Sequence, residues 1–198
     1  MKEGFPLGER TSKEARILIP TLCGMLITSG VGIALRSSFL SSLGIEREFS
    51  SLVVLGFAFS LISAVSLVLR KRDTVIAILT GTILWMTFVE NVKLVGAIRF
   101  ILFAFVTVSS LGVADRLTGK TRWVSKILVA TILTAFLCGL AGFFFYWGVE
   151  KGGLLPKAQP SLGFLWGLSL GASVGLGVSL GREAITWLGK RRKENRLK

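Results

Sequence analysis

Apolar residues in this chain run on without interruption rather than recurring with the period of a strand or of one helix face. Stretches free of Asp, Glu, Lys and Arg cover 17–35, 49–69, 74–89, 100–114, 127–149 and 158–181, which is 19, 21, 16, 15, 23 and 24 residues. A helix crossing a hydrocarbon core of about 30 Å needs about 20 residues, within a range of about 17–25. The third and fourth stretches fall short, but flanking Lys and Arg side chains extend them by snorkelling to the interface. Backbone hydrogen bonds in lipid are satisfied only by helices or closed barrels, and the lack of period-two alternation excludes the barrel. The predicted fold is therefore all-α. It is a polytopic membrane bundle of six transmembrane helices over about 16–35, 50–69, 74–91, 96–114, 126–148 and 161–181. These helices make one domain, 1–181, followed by a basic amphipathic tail, 182–198.

The segments between the stretches set an orientation. With the N-terminus inside, segments 1–16, 70–73, 115–126 and 182–198 hold 18 Lys and Arg, against 6 in 36–48, 90–99 and 150–157. That asymmetry across short loops predicts both termini on the cytoplasmic side of the cell membrane. Trp123 and Trp187 fall at the inner boundary, and Tyr146, Trp147 and Trp166 near the outer one, as aromatic belts do. A cleaved signal peptide is the competing reading of 1–35, but a 19-residue run exceeds the usual h-region of about 7–15 residues.

Composition agrees and narrows the chemistry. The 198 residues are 52% hydrophobic and 18% charged, with a formal net charge of +13 and a mean hydropathy of +0.69. Soluble chains carry about 25% charge, and disordered ones are poor in apolar residues. There is no histidine, which excludes bis-His haem ligation, His-based nucleophilic dyads and His proton relays. Cys23 and Cys138 are too few for a zinc or iron–sulfur site. They read as two buried thiols or, if their helices meet at one depth, as a disulfide. No metal and no cofactor is expected.

Small residues mark the expected helix contacts. Gly163, Gly167, Gly171 and Gly175 recur every four residues on the sixth helix, and Ser169, Ser173, Gly177 and Gly181 form a second line. Gly24, Thr28 and Gly32 do the same on the first helix, and Thr131, Ala135 and Gly139 on the fifth. Lipid gives helices no hydrophobic reason to associate, so small residues at i, i+4 allow the close backbone approach that does. Two such lines on one helix serve internal packing, or a homo- or hetero-oligomer through the sixth helix. Pro20 is expected early in the first helix, where its missing N–H costs little.

The candidate binding groups are Glu90, Asn91, Lys93 and Arg99 around the third hairpin, with Trp85 about a turn below. Ionisable groups at membrane depth point to function, and the surplus positive charge suits an anionic or zwitterionic solute. An ordinary interfacial loop is the plainer reading. Asp73 and Asp115 lie at the cytoplasmic ends of one hairpin, each near an Arg and without a second carboxylate at metal-ligand spacing. Pairing with arginine is thus expected there rather than Mg²⁺ and lipid phosphotransfer. No nucleophile elbow or intramembrane Asp pair is present, and no enzymatic activity is expected. Lys190, Arg191, Arg192 and Lys193 in the tail are expected to meet anionic lipid headgroups. That basic run follows directly on a membrane anchor, so nucleic acid is not the expected partner.

In architecture alone the chain resembles the membrane-embedded substrate-binding subunits of energy-coupling-factor vitamin transporters. The shared features are about 200 residues, six helices, both ends inside and a small-residue first helix. The likeness implies a transport role and assigns no site. The expected function is thus a small-solute transporter or such a subunit. A non-catalytic structural or assembly subunit of a larger membrane complex is the alternative.

Overall fold

The structure is a computed structural model that describes residues 7–37, 46–68, 71–88, 93–119, 121–152 and 159–196. These residues are helical apart from short caps and turns, and no strand occurs among them. The helices are α1 (Leu7–Ser37), α2 (Glu46–Val68), α3 (Lys71–Phe88), α4 (Lys93–Thr118), α5 (Trp123–Lys151) and α6 (Pro160–Arg196). Four segments are long and apolar enough to cross a membrane: Glu14–Ala34, Val95–Thr118, Trp123–Lys151 and Pro160–Leu188. The apolar helical stretches Val54–Val68 and Thr74–Ile83 are shorter.

Helices and apolar runs do not share their ends. α1 begins at Leu7, so Glu9, Arg10, Lys13, Glu14 and Arg16 belong to it. Pro20 is therefore thirteen residues into the helix rather than in its first turn. Its missing N–H leaves the Arg16 carbonyl without its helical donor. Gly181 of α6 lies directly against the Pro20 backbone. α6 continues unbroken through the basic tail to Arg196, and its 37 residues span about 55 Å at 1.5 Å per residue. Charged residues end an apolar run, but Lys, Arg and Glu are good helix formers, so the helix passes on through them. α4 ends on Gly119, whose φ of +34° and N–H donating to the Asp115 carbonyl at 3.1 Å make a left-handed glycine cap.

α6 is the centre of the bundle. It packs most extensively on α5, then on α1, with smaller contacts to α2 and α4. The α5 seam is strictly antiparallel. Gly163 meets Gly142, Gly167 meets Cys138, Gly171 meets Thr134, and Gly175 meets Ala130. Each four-residue step along one helix is matched by four on the other, so backbone lies against backbone all along the seam. Gly177 and Gly181 lie on Gly24 and Pro20 of α1, and Gly24 in turn lies on Ser60 of α2, while Thr28 meets Gly56. Gly32 is buried in α1. The first small-residue line of α6, and Gly177 and Gly181 of the second, thus have partners inside this chain.

The cysteines are free. Cys23 borders Gly177 and Cys138 borders Gly167, positions ten residues apart on α6, or about 15 Å along its axis. A disulfide needs Cα atoms within about 7 Å, so the two helices run past α6 with their thiols at different depths.

Inside, aromatic and aliphatic side chains alternate with small hydroxyls. Phe59, Phe100, Phe103, Trp166, Leu170, Val174 and Val178 are buried together. Outside, Leu26 and Phe105 are 70% and 65% exposed, and α3 exposes Val75, Ile76, Leu79 and Ile83. A soluble protein keeps such faces inward and rarely leaves large apolar patches open. This distribution is compatible with an integral membrane protein.

Candidate functional site

Of the residues expected around the third hairpin, Glu90 and Asn91 lie outside the described residues. Trp85 and Lys93 belong to α3 and α4, with side chains outside the described set. Arg99 is described, and its surroundings define the candidate site. It lies six residues into α4 and is half-buried, flanked by buried Val95, Ala97, Phe100 and Phe103. Its guanidinium carbon is 5.5 Å from the ring centroid of Trp166, which is only 2% exposed. Phe103 holds that indole edge-on, with centroids 4.9 Å apart and planes at 83°.

The seam sets Trp166 in place. Trp166 sits between Gly163 and Gly167, where α6 lies directly on the α5 backbone. Without a Cβ, Gly163 also clears the ring of Tyr146, which is buried. The indole is therefore wedged between α4 and α6 at a point where α5 fixes the position of α6. A guanidinium on a buried indole gains about 0.5–2 kcal/mol from the ring quadrupole. A guanidinium's planar N–H fork is suited to a carboxylate or phosphate. The sequence points to Arg99 within the hairpin cluster of Glu90, Asn91 and Lys93, and places Trp166 in an aromatic belt rather than beside it. The available signal was Trp166 lying between two seam glycines, where a large side chain must point away from the seam into another helix.

At the opposite, basic end Asp115 does pair with an arginine, but with one distant in sequence. Asp115 pairs with Arg182 of α6 at 3.0 Å rather than with its neighbour Arg116. Both side chains are substantially exposed, Arg182 at 38% and Asp115 at 47%. This pair and the Phe103–Trp166 contact join α4 to α6 near the two ends of their shared length, and the helices run parallel between them. A cleft beside the pair is lined by Leu111, Ala114, Thr118, Lys126, Ala130, Ser179 and Glu183. No cluster of three or more His, Cys, Asp or Glu able to hold a metal ion occurs among the described residues. Lys190, Arg191, Arg192 and Lys193 lie in the last part of α6, with side chains outside the described set.

Hydroxyls in the core are mostly turned back on their own helices. Thr28 donates to the Gly24 carbonyl at 2.7 Å, Thr107 to Phe103 at 2.9 Å and Ser173 to Ser169 at 2.9 Å. Ser110 also reaches across from α4 to Thr134 of α5 at 2.9 Å. Only Ser60 and Ser63, among the described residues, have fully buried hydroxyls without a partner.

No family model matches the chain, and neither a curated protein nor a solved structure shows significant similarity to it. The class defined by fold and site is thus a helical bundle with apolar helices able to cross a membrane, compatible with an integral membrane protein.

Proposed function

We propose that the chain is a multi-pass protein of the cell membrane with six crossings and both termini in the cytoplasm. In this reading it transports a small solute, or is the membrane-embedded substrate-binding subunit of a transporter. One observation carries the transport reading: Arg99 is half-buried within an apolar helix, against the buried Trp166. A cation at such a position is costly in lipid and points to function. Its N–H fork suits an anionic or zwitterionic solute entering from the end opposite the basic tail. The topology draws support from α1 and α6 running antiparallel, since Gly24 and Pro20 meet Gly177 and Gly181 in reverse order. First and last helices oppose one another when the number of crossings is even.

The test is retention of solute by the purified protein. Wild type and Arg99→Gln are isolated in mild detergent, extracted, and compared by untargeted mass spectrometry. The expected result is a carboxylate- or phosphate-bearing solute retained by wild type and lost from the variant, with its unfolding midpoint kept. Equal retention by both, or none by either, overturns the binding role. Topology is tested in a variant lacking Cys23 and Cys138. Gln159→Cys should react with an impermeant maleimide on intact cells, and Ser125→Cys only after lysis.

The second reading is a non-catalytic structural or assembly subunit of a larger membrane complex. The observation favouring it is the filled interior, in which α5, α6 and α1 meet backbone to backbone. A stable hetero-complex in native mass spectrometry, with no retained solute, would decide for it.

A further inference from the structure

The cleft at the basic end has an apolar floor and an ionic rim. Leu111, Ala114 and Ala130 are buried beneath it, and Asp115, Lys126, Arg182 and Glu183 surround it. Two observations set it apart from an ordinary seam between helices. Ser179 lines it and is only 8% exposed, yet no described residue hydrogen-bonds its hydroxyl. Nearby Thr118 and Thr131, by contrast, donate to carbonyls one turn back at 2.7 and 2.8 Å. The first turn of α5 also opens here through Lys126. Its N-cap, Arg122, supplies no side-chain hydrogen bond, and the first bond into the helix is Lys126 N–H to the Arg122 carbonyl at 3.2 Å. The amides of Trp123, Val124 and Ser125, which precede Lys126 and lie beside the lining rather than in it, therefore lack intrahelical acceptors, at a helix end that favours negative charge.

The four ionic groups of the rim are two cations and two carboxylates, of which Arg182 and Asp115 share a 3.0 Å bond that leaves the other N–H groups and the second oxygen of each free to take a ligand. A bare phosphate would be drawn by Lys126 and Arg182 and repelled by Asp115 and Glu183. A bare cation would meet the reverse. A zwitterion satisfies both pairs. An ammonium with three N–H donors suits the carboxylates better than a quaternary amine, which has no N–H to donate. The apolar floor runs into the side of the bundle, where Val113, Leu117 and Leu128 are exposed.

We propose that this cleft between α4, α5 and α6 binds the phosphoethanolamine headgroup of a membrane phospholipid. The headgroup lies over the rim: the phosphate sits on Lys126 and on the N–H groups that Arg182 has beyond its bond to Asp115, with one oxygen in the roughly water-sized space (about 20 Å³) beside the Ser179 hydroxyl, and the ammonium lies between Glu183 and the second carboxylate oxygen of Asp115. The proposal rests on the reading that this end of the bundle lies at a membrane surface.

Native mass spectrometry tests it on the full chain in mild detergent. An equimolar mixture of dioleoyl phosphatidylethanolamine, phosphatidylcholine and phosphatidylglycerol is offered, and bound-lipid adducts are counted. A chain that stays dispersed and monomeric without detergent refutes the membrane reading itself, and this is established before lipid is added. With that reading intact, phosphatidylethanolamine should be retained in clear preference to the other two. Lys126→Ala should weaken its retention about fivefold, the effect of one basic group near a headgroup layer. Glu183→Gln should shift the preference toward phosphatidylglycerol, because it removes a carboxylate that opposes an anion. Both positions lie at the helix surface, and unchanged unfolding midpoints confirm that the variants are folded. Equal retention of the three lipids overturns the proposal, as does a wild-type preference for phosphatidylglycerol or a preference unaltered by both substitutions. Soluble phosphoethanolamine is offered separately. If it displaces the lipid at comparable concentration, the occupant is a free solute and the lipid assignment fails.

Discussion

The α5–α6 seam predicts a graded response to one methyl group. At Gly167 an added Cβ would run into the Cys138 carbonyl oxygen, with the carbonyl carbon at 2.8 Å and the Gly139 nitrogen at 3.2 Å. All three are backbone atoms, so no side chain can swing aside and the helices must part. Restoring ordinary contact at about 3.5–4.0 Å opens the seam by more than about 1 Å, which forfeits about half of each atom pair's attraction. Over about thirty pairs of roughly 0.1–0.2 kcal/mol each, the loss is about 2 kcal/mol, in line with other overpacked cores. The helix gains back about 1 kcal/mol from replacing glycine by alanine. Gly167→Ala should therefore destabilise by about 1–2 kcal/mol.

Two further glycines calibrate the scale. A Cβ at Gly175 meets the Ala130 oxygen and the Thr131 Cα at 3.0 and 3.1 Å, a contact that a shift of a few tenths of an ångström relieves. Gly175→Ala should fall near zero. At Gly112 of α4 nothing lies within 4 Å, and Gly112→Ala should stabilise by about 0.5–1 kcal/mol. Reversible unfolding in mixed micelles, followed by far-ultraviolet circular dichroism against the mole fraction of denaturing detergent, measures all three. The expected order is Gly112→Ala, Gly175→Ala, Gly167→Ala, from most to least stable. A Gly167→Ala protein as stable as Gly112→Ala would refute the seam.

Three further predictions concern single contacts. A double-mutant cycle on Ser110→Ala and Thr134→Val should give a coupling of about 0.6 kcal/mol, the mean for hydrogen bonds between membrane helices; zero coupling would count against the 2.9 Å contact. The cycle on Asp115→Asn and Arg182→Gln should give less than about 1 kcal/mol, because both partners are largely exposed. That coupling should shrink as salt is raised, and a large, salt-insensitive value would contradict the exposed geometry. Mild oxidation should leave Cys23 and Cys138 unlinked within one chain, so that alkylation under denaturing conditions counts two thiols. An intramolecular disulfide would contradict their separation along α6.

Hydropathy made the helices legible because a charge inside hydrocarbon is costly enough to leave a visible gap in the sequence. Helix ends were less legible. Glu9 to Arg16 and the residues after Gly181 interrupt the apolar runs, yet α1 and α6 include them, because helix propensity does not depend on polarity. Chain neighbours also misled: Asp115 was read against Arg116 but pairs with Arg182, 67 residues away. Arg99 has Glu90, Asn91 and Lys93 as its neighbours in sequence, while its indole, Trp166, comes from α6. Such pairings are set by how helices are brought together, and one sequence does not encode that in any local pattern.

The glycine lines occupy the middle ground, and their placement bears on partners. Spacing alone identifies which faces of α6 approach another backbone, but not whose backbone it is. In the bundle, Gly163, Gly167, Gly171 and Gly175 are taken by α5, and Gly177 and Gly181 by α1. A second chain docking through these glycines would have to displace a helix of this one and open a seam already in contact. A companion subunit added to the intact bundle would instead use another face. α3 presents a face of large side chains, with Val75, Ile76, Leu79 and Ile83 exposed and α2 and α4 packed behind it. Contact there would be made by interdigitating branched side chains rather than by backbone approach. Substitutions in the glycine lines should then lower the stability of the chain without selectively weakening any complex it forms, whereas Ile76→Ala or Ile83→Ala should do the reverse.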